Sequence, residues 1–252
     1  MRAIAMYAPE HFPDVRPGMD LPALIIDVLR DSSLLPQDGD ILVIAQKVVS
    51  KAEGRIVDLR EVVPSSRALA LAAEAERDPR LVEVILREAR AILRVRPGLI
   101  IAEHRLGFIC ANAGVDHSNV GRGEDVVTLL PSDPDASARS IKQAVDSAFR
   151  THVAVIINDS HGRPFREGAV GVCIGVAGIE PLHSYVGKVD RYGYVLKTSV
   201  EAIADEVASA ATLLMGQADE GRPLVLIRGV AFARGEGSAR ALLRDPSRDL
   251  FR

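Results

Sequence analysis

Apolar positions along the chain fall into short β-branched runs and longer stretches at helical spacing, which together predict a mixed set of elements. Asp40 to Ala45 is a short apolar run entered through Gln37-Asp-Gly-Asp40, the pattern of a turn leading into a buried strand. Val153-Ala-Val-Ile-Ile157 is a second strand; it runs out into the polar segment Asn158-Asp-Ser-His-Gly-Arg163, which reads as a loop. Leu99 to Ala102 and Gly107 to Cys110 read as a strand pair joined by His104-Arg105-Leu106. Ala169 to Ala177 is a strand whose several glycines predict close backbone approach or a bulge. Pro223 to Ile227 is a last buried strand.

Helical spacing begins after Ser65, through Leu69 and Ala72. A second helix, starting after Pro79, places Leu81, Val84, Ile85, Ile92 and Leu93 on one face before Pro97-Gly98 stops it. Ser137 to Phe149 is a third, capped by Asp135 or Ser137. Val200 to Met215 is the clearest: Ile203, Val207, Ala210, Ala211 and Leu214 share a face, and Gly216 supplies the C-cap. Strands and helices mix without regular alternation, so the fold class is α+β rather than a doubly wound sheet. No repeat or low-complexity stretch divides the chain, and residues 1–252 read as a single domain.

Composition narrows the function classes. Lys plus Arg number 31 against 34 Asp plus Glu, a net charge of −3, which argues against a partner recognised through a global basic field. Trp is absent, and the six Phe and four Tyr form no cluster for base stacking, so no nucleic-acid partner is expected. No apolar run is long enough to span a bilayer, and the N-terminus has no basic region followed by an apolar stretch. The expectation is a cytoplasmic protein with no membrane partner. Cys110 and Cys173 lie in apolar runs and read as buried reduced thiols rather than a disulfide.

Three segments concentrate small and polar residues: Asn112-Ala-Gly-Val-Asp-His-Ser-Asn119, Asn158 to Arg163, and Gly216-Gln-Ala-Asp-Glu-Gly221. Asp116 lies beside Ser118 and Asn119, and Asp159 beside Asn158 and Ser160. Carboxylates with neighbouring hydroxyl and amide oxygens suit a hard cation such as Mg2+ or Mn2+, shared with substrate phosphates. The same residues can equally satisfy their own turns through Asx hydrogen bonds. Lys47 and Lys51, in Gln46-Lys-Val-Val-Ser-Lys51, are placed either to meet phosphate or to end the first strand in solvent. There is no GxxxxGK[ST] loop, no GxGxxG after a strand, no HExxH and no GxSxG elbow. Residue chemistry alone stops at a metal-plus-polar-loop enzyme of unspecified reaction.

Taken in order, these segments resemble the coenzyme F-420-0:γ-glutamyl ligases. The matching stretches are Phe12-Pro13 with Gly18-Met-Asp-Leu21, Asp38-Gly-Asp-Ile-Leu-Val-Ile, and Lys47-Val-Val-Ser-Lys-Ala-Glu-Gly-Arg55. Asn112 to Asn119 and Asp159-Ser-His-Gly-Arg-Pro-Phe-Arg166 follow, then Gly171 to Gly178, Asp190-Arg-Tyr-Gly193 and Ala204-Asp-Glu206. Leu213-Leu-Met-Gly-Gln217 and Ile227-Arg-Gly229 complete a collinear set covering nearly the whole chain.

The resemblance implies an α+β fold with a mixed sheet, forming an intertwined homodimer. It implies a GTP-dependent ligase that uses Mg2+ or Mn2+ to add L-glutamate to coenzyme F-420-0 through an acyl phosphate, and leaves further γ-linked additions open. Asp116 and Asp159 match the metal-ligand aspartates, Ser160 an adjacent hydroxyl ligand, and Gln217 a position near a second metal. Lys51 matches a phosphate contact, giving Asp116, Asp159 and Lys51 as the catalytic set, and Asn119 a nucleotide contact. Phe12, Pro13, Asp14 and Val15 would flank the nucleotide with Gln46 and with Met215, Gly216, Gln217, Gly221 and Arg222. Arg163 and Arg166 are further candidates for phosphate or carboxylate on chemistry alone. Gln46 stands where many relatives carry Ser or Thr, Ala8-Pro-Glu-His11 departs from a Gly-Leu-Pro lead-in, and His161 replaces a common Asn. Some relatives continue into a nitroreductase-like domain; with Arg252 the last residue, that activity is not expected here. The alternatives are the same fold, nucleotide and metal acting on a different acid or amine, and a nucleotide- or cofactor-binding protein without catalysis.

Overall fold

The computed structural model describes residues 2–120, 123 and 125–250. In chain order, β1 (Ala5–Tyr7), α1 (Leu21–Asp31), β2 (Ile41–Ala45), α2 (Gln46–Ala52) and β3 (Ile56–Asp58) lead into the helix pair α3 (Ser66–Ala75) and α4 (Pro79–Glu88). Strands β4 (Ala89–Arg96), β5 (Leu99–His104), β6 (Ile109–Ala111) and β7 (Val126–Thr128) precede α5 (Pro134–Phe149). The hairpin β8 (Ala154–Arg163) and β9 (Arg166–Ala177) is followed by the short strands β10 (His183–Ser184) and β11 (Val200–Glu201). Helix α6 (Ile203–Met215) and β12 (Leu224–Arg228) come next. The class is α+β with a mixed principal sheet.

That sheet has the order β1-β12-β2-β8-β9, and only β2 and β8 pair in parallel. Ile41 to Ile44 and Ala154 to Ile157 are fully buried at its centre, as continuous apolar runs covered on both faces should be. Helices α5 and α6 pack on β9, and glycines let them approach. A Cβ on Gly171 would lie 2.2 Å from Thr212 Oγ1 of α6, and one on Gly175 would lie 2.5 Å from the Pro134 backbone of α5. A register shift between the Ile157 and Asn158 pairings resets the alternation between these two glycines. A smaller core gathers Ala72 of α3, Leu81 and Ile85 of α4, Ile100 of the β4-β5-β6 sheet and Val127 of the β3-β7 pair, with Leu59 from the turn after β3.

The structure corrects several boundaries. Helix α4 ends at Glu88, and Ile92 and Leu93 belong to β4, because Ala89 turns extended and the chain pairs with β5 instead. Helix α5 is capped by Asp133, which accepts from Ala136 N; Asp135 is engaged elsewhere, accepting from Val176 N and Ser238 Oγ. Val200 lies in β11, three residues before α6 begins at Ile203. Asn158 to Arg163 is not a loop but the second half of β8, its backbone paired with β9 through Arg163↔Arg166. Asn158, Asp159 and Ser160 line a cleft where the core ends, so the segment lacks the apolar signal of a strand.

Candidate functional site

The cleft opens where β2 gives way to α2 and β8 outruns its parallel neighbour. The β2–β8 pairing ends at Ala45↔Asn158, so Gln46 and Asp159 are the next residues on either side. Its walls are completed by the chain after β1, the segment around Asp116, and the connection from α6 to β12, enclosing about 480 Å³. Phe12, Pro13, Asp14, Val15, Gln46, Lys51, Asp116, Asn119, Asp159, Ser160, Met215, Gly216, Gln217, Gly221 and Arg222 all line it. Arg163 and Arg166 do not; they sit at the end of the β8–β9 hairpin, where Arg163 Nη1 donates to Gly168 O.

A strained turn delivers Asp116. Asn112, Ala113 and Gly114 are consecutive left-handed residues with φ of 53°, 50° and 69°. Asn tolerates this region and Gly is indifferent to it, whereas Ala113 is held there at a cost of about 1–2 kcal/mol. Gly114 is needed twice over, because a Cβ would stand 2.6 Å from Leu130 Cγ. Asp116 then exchanges backbone hydrogen bonds with Thr128 of β7, at 3.0 and 2.8 Å. Asp116 Oδ1 accepts from Ser118 N, so it does close its own turn, while Oδ2 accepts from Ser118 Oγ and Lys47 Nζ, each at 2.5 Å. Partial burial pushes its pKa up, but the Lys47 charge and the Lys47 and Ser118 bonds prevail and hold it below the ordinary value.

Asp159 stands on β8, with Ser160 N donating to Oδ1 and His161 Nε2 donating to Oδ2, both at 2.8 Å. Residues i and i+2 of a strand share a face, so His161 reaches Asp159 without distortion. Reading the segment as a loop hid that alternation. The neighbouring Cys110 thiol is pushed up to about 12, by burial first and then by the Asp159 charge, and burial also raises Cys173. Neither free, buried cysteine is an available nucleophile at neutral pH.

Loop 216–222 is tied to both carboxylate-bearing segments. Asn119 Nδ2 donates to Ala218 O at 2.9 Å, and Gln217 Nε2 donates to Ser160 Oγ at 2.9 Å. Glu220 curls back to accept from Ala218 N at 2.8 Å, and backbone N–H groups of the loop hold its carboxylate below the ordinary pKa. Gln46 is buried, with Oε1 accepting from Ser50 Oγ at 2.8 Å, so it contributes cleft wall with its side-chain oxygen already engaged. Lys51 has no side-chain partner among the described residues. Asn158 and Glu220 lie in polar segments marked in the sequence but carry no role there; Thr128 and Thr212, which also line or support the cleft, lie far apart along the chain and give no spacing signal.

Among the described residues no three His, Cys, Asp or Glu side chains cluster to hold a metal by themselves. Two carboxylates, a hydroxyl and an amide form an oxygen-donor set suited to a hard cation that takes its remaining ligands from water and phosphate. The ammonium already resting on Asp116 Oδ2 shows that the position attracts positive charge. No helix among the described residues is long and apolar enough to cross a membrane.

The family model of the F420-0:Gamma-glutamyl ligases matches residues 10–229. A coenzyme F420:L-glutamate ligase of Methanothermobacter thermautotrophicus is 49% identical over 251 residues, covering 99% of both chains. One of Methanopyrus kandleri is 51% identical over 242 residues, covering 94% of this chain and 93% of the relative. One of Archaeoglobus fulgidus is 39% identical over 249 residues, covering 99% and 96%. With a match across most of its length and relatives at this identity, the chain belongs to the F420-0:γ-glutamyl ligase family.

Proposed function

We propose that the protein joins L-glutamate to the terminal carboxylate of coenzyme F420-0, with GTP as co-substrate and Mg2+ or Mn2+ in the cleft. The observation that carries this reading is the gathering of Asp116, Asp159, Lys47 and Lys51 in one cleft without an activated nucleophile. Activating a carboxylate by phosphoryl transfer asks the protein for positioning and charge neutralisation rather than covalent chemistry. An oxygen of the acid bonds to the γ-phosphorus as the bond to the bridging oxygen breaks, giving an acyl phosphate and GDP. The glutamate amine then bonds to the acyl carbon, phosphate leaves, and the amine loses a proton to give the amide.

Asp116, Asp159, Ser160 and Gln217 would hold the cation, which when bound neutralises the phosphate oxygens. Lys51 is free to meet a phosphate oxygen as a cationic donor. Asn119, bonded to Ala218, keeps loop 216–222 closed against the Asp116 segment, where nucleotide would lie between that loop and residues 12–15. A neighbouring groove of about 930 Å³ shares Phe12, Pro13 and Arg222 with the cleft, which supports room for an acceptor beside the nucleotide. The segment between β10 and β11 exposes Val186, Val189, Tyr192 and Tyr194, supporting a homodimer in which this arm is covered. Sedimentation of the purified chain tests that assembly.

The deciding experiment incubates purified protein with coenzyme F420-0, GTP, L-glutamate and Mg2+ or Mn2+, and weighs the product by mass spectrometry. A product heavier by one or more glutamyl units, with matching GDP, is the expected result. GTP consumption without glutamate transfer would move the acceptor to another acid. No nucleotide binding with either metal would overturn the reading.

A further inference from the structure

Lys47 Nζ rests against three side-chain oxygens: Asp116 Oδ2 at 2.5 Å, Thr128 Oγ1 at 3.3 Å and Ser118 Oγ at 3.4 Å. An ammonium has three N–H donors, and here each finds an acceptor. The Lys47 side chain is only 16% exposed and Thr128 is fully buried, while the Asp116 carboxylate stays open to the cleft, where a ligand can reach it. The carboxylate oxygen that would face a metal is therefore already covered by a positive charge. Two cations at contact distance of one oxygen repel, the more so with the ammonium itself mostly buried.

We infer that Lys47 is an internal counter-ion for Asp116, occupying the cation position in the free protein and yielding it when nucleotide phosphate draws the ammonium away. The inference rests on Asp116 being a metal ligand in the proposed reaction. Lys47 lines the cleft together with Lys51, so phosphate placed there competes with Asp116 for the ammonium. The free protein should bind divalent metal weakly, and nucleotide should tighten that binding. Thermodynamic reciprocity then requires metal to tighten nucleotide by the same factor. Lys47 thus acts as a positioning residue, working through Asp116.

The test titrates Mn2+ into the full-length chain and follows bound metal by electron paramagnetic resonance, with and without GDP. Wild type should bind Mn2+ weakly alone and more tightly with GDP, within the roughly 5–150-fold range usual for coupled sites. Lys47→Met, which keeps the stem and removes the charge, should bind Mn2+ about tenfold or more tightly than wild type without nucleotide. A gain of affinity cannot come from a misfolded variant. Thr128→Val, which removes one acceptor of the ammonium, should shift metal affinity less, in the same direction. Adding Asp116→Asn to Lys47→Met should abolish the gain. Metal affinity in Lys47→Met equal to or below wild type overturns the inference, as does a gain that survives Asp116→Asn. If neither wild type with GDP nor Lys47→Met binds Mn2+, the metal reading of Asp116 itself fails, a distinguishable result.

Discussion

Arg55 Nη2 donates to Glu88 Oε2 at 2.7 Å, and the bond lies between the two hydrophobic cores. Arg55 follows α2 and also donates through Nε to Leu130 O, on the side of the larger core. Glu88 is the last residue of α4, which packs in the smaller core, and its Oε2 also accepts from His104 Nε2 and Arg105 Nε at 3.2 Å. The cleft needs both sides: Asp159 stands on the principal sheet, while Asp116 is bridged to β7 beside the smaller core. The Arg55–Glu88 cluster thereby helps fix the relation of the two carboxylates.

Glu88→Gln should destabilise the fold by about 3 kcal/mol, because it leaves Arg55 and Arg105 facing a buried site without their counter-charge. Burial opposes ionisation of Glu88, but the His104 bond and the Arg55 and Arg105 charges outweigh it and pull its pKa from 4.5 to about 2. A lowered pKa contributes stability fully above the unfolded value, and that contribution is lost as pH falls from 4.5 through about 2. The urea midpoint of wild type should exceed that of Glu88→Gln at pH 7, and the two should converge towards pH 3. A constant difference across that window would assign the effect to packing.

Asp159→Asn should abolish turnover while the chain stays folded. The amide keeps the shape and can still accept from Ser160 N, but it removes the negative charge offered to a cation. The check pairs glutamyl transfer with a thermal melt. Near-wild-type transfer would remove Asp159 from the metal site; lost transfer with a collapsed melt would make its role structural.

How much of this was legible follows from where the signals lie. The central strands announce themselves because Ile41 to Ile44 and Val153 to Ile157 are apolar on both faces. The pair read as Leu99 to Ala102 with Gly107 to Cys110 is found in the register Ala102↔Cys110, but its strands are shifted: β5 runs on to His104 and β6 begins only at Ile109, while Gly171 and Gly175 mark the helix approaches their frequency suggests. Asn158 to Arg163 has the pattern of a loop because a strand that leaves the core along a polar cleft is itself polar, and tertiary pairing overrides local propensity there. That pattern conceals the His161–Asp159 contact, and no spacing rule links Lys47 to Asp116, 69 residues apart.

Lys51→Ala should weaken GTP binding more than glutamate binding. Lys51 lines the cleft with no side-chain partner among the described residues, so its removal leaves no buried group uncompensated and the fold should be nearly unaffected. A charge-assisted hydrogen bond to phosphate contributes about 1.5–3 kcal/mol, roughly ten- to 150-fold in nucleotide affinity. Calorimetric titration of each ligand measures the two effects separately, and equal losses would count against a phosphate role.

Gly114→Ala should be costly although it adds one methyl group. At φ of 69° an alanine pays about 1–2 kcal/mol for the left-handed region. The new Cβ would also meet Leu130 Cγ at 2.6 Å and Cδ1 at 2.9 Å, and overpacking of that kind costs about 1–3 kcal/mol. Leu130 is fully buried, so the turn has to give, and Asp116 two residues on moves with it. The expected outcome is about 2–5 kcal/mol lost in urea unfolding and a glutamyl-transfer loss that persists where the protein is still fully folded. The two causes separate in a Leu130→Ala background, which supplies the missing space. There Gly114→Ala should cost only its backbone share, about 1–2 kcal/mol, and the coupling between the substitutions measures the clash. Additive effects would mean that backbone conformation alone demands the glycine, and that Leu130 plays no part in setting the position of Asp116.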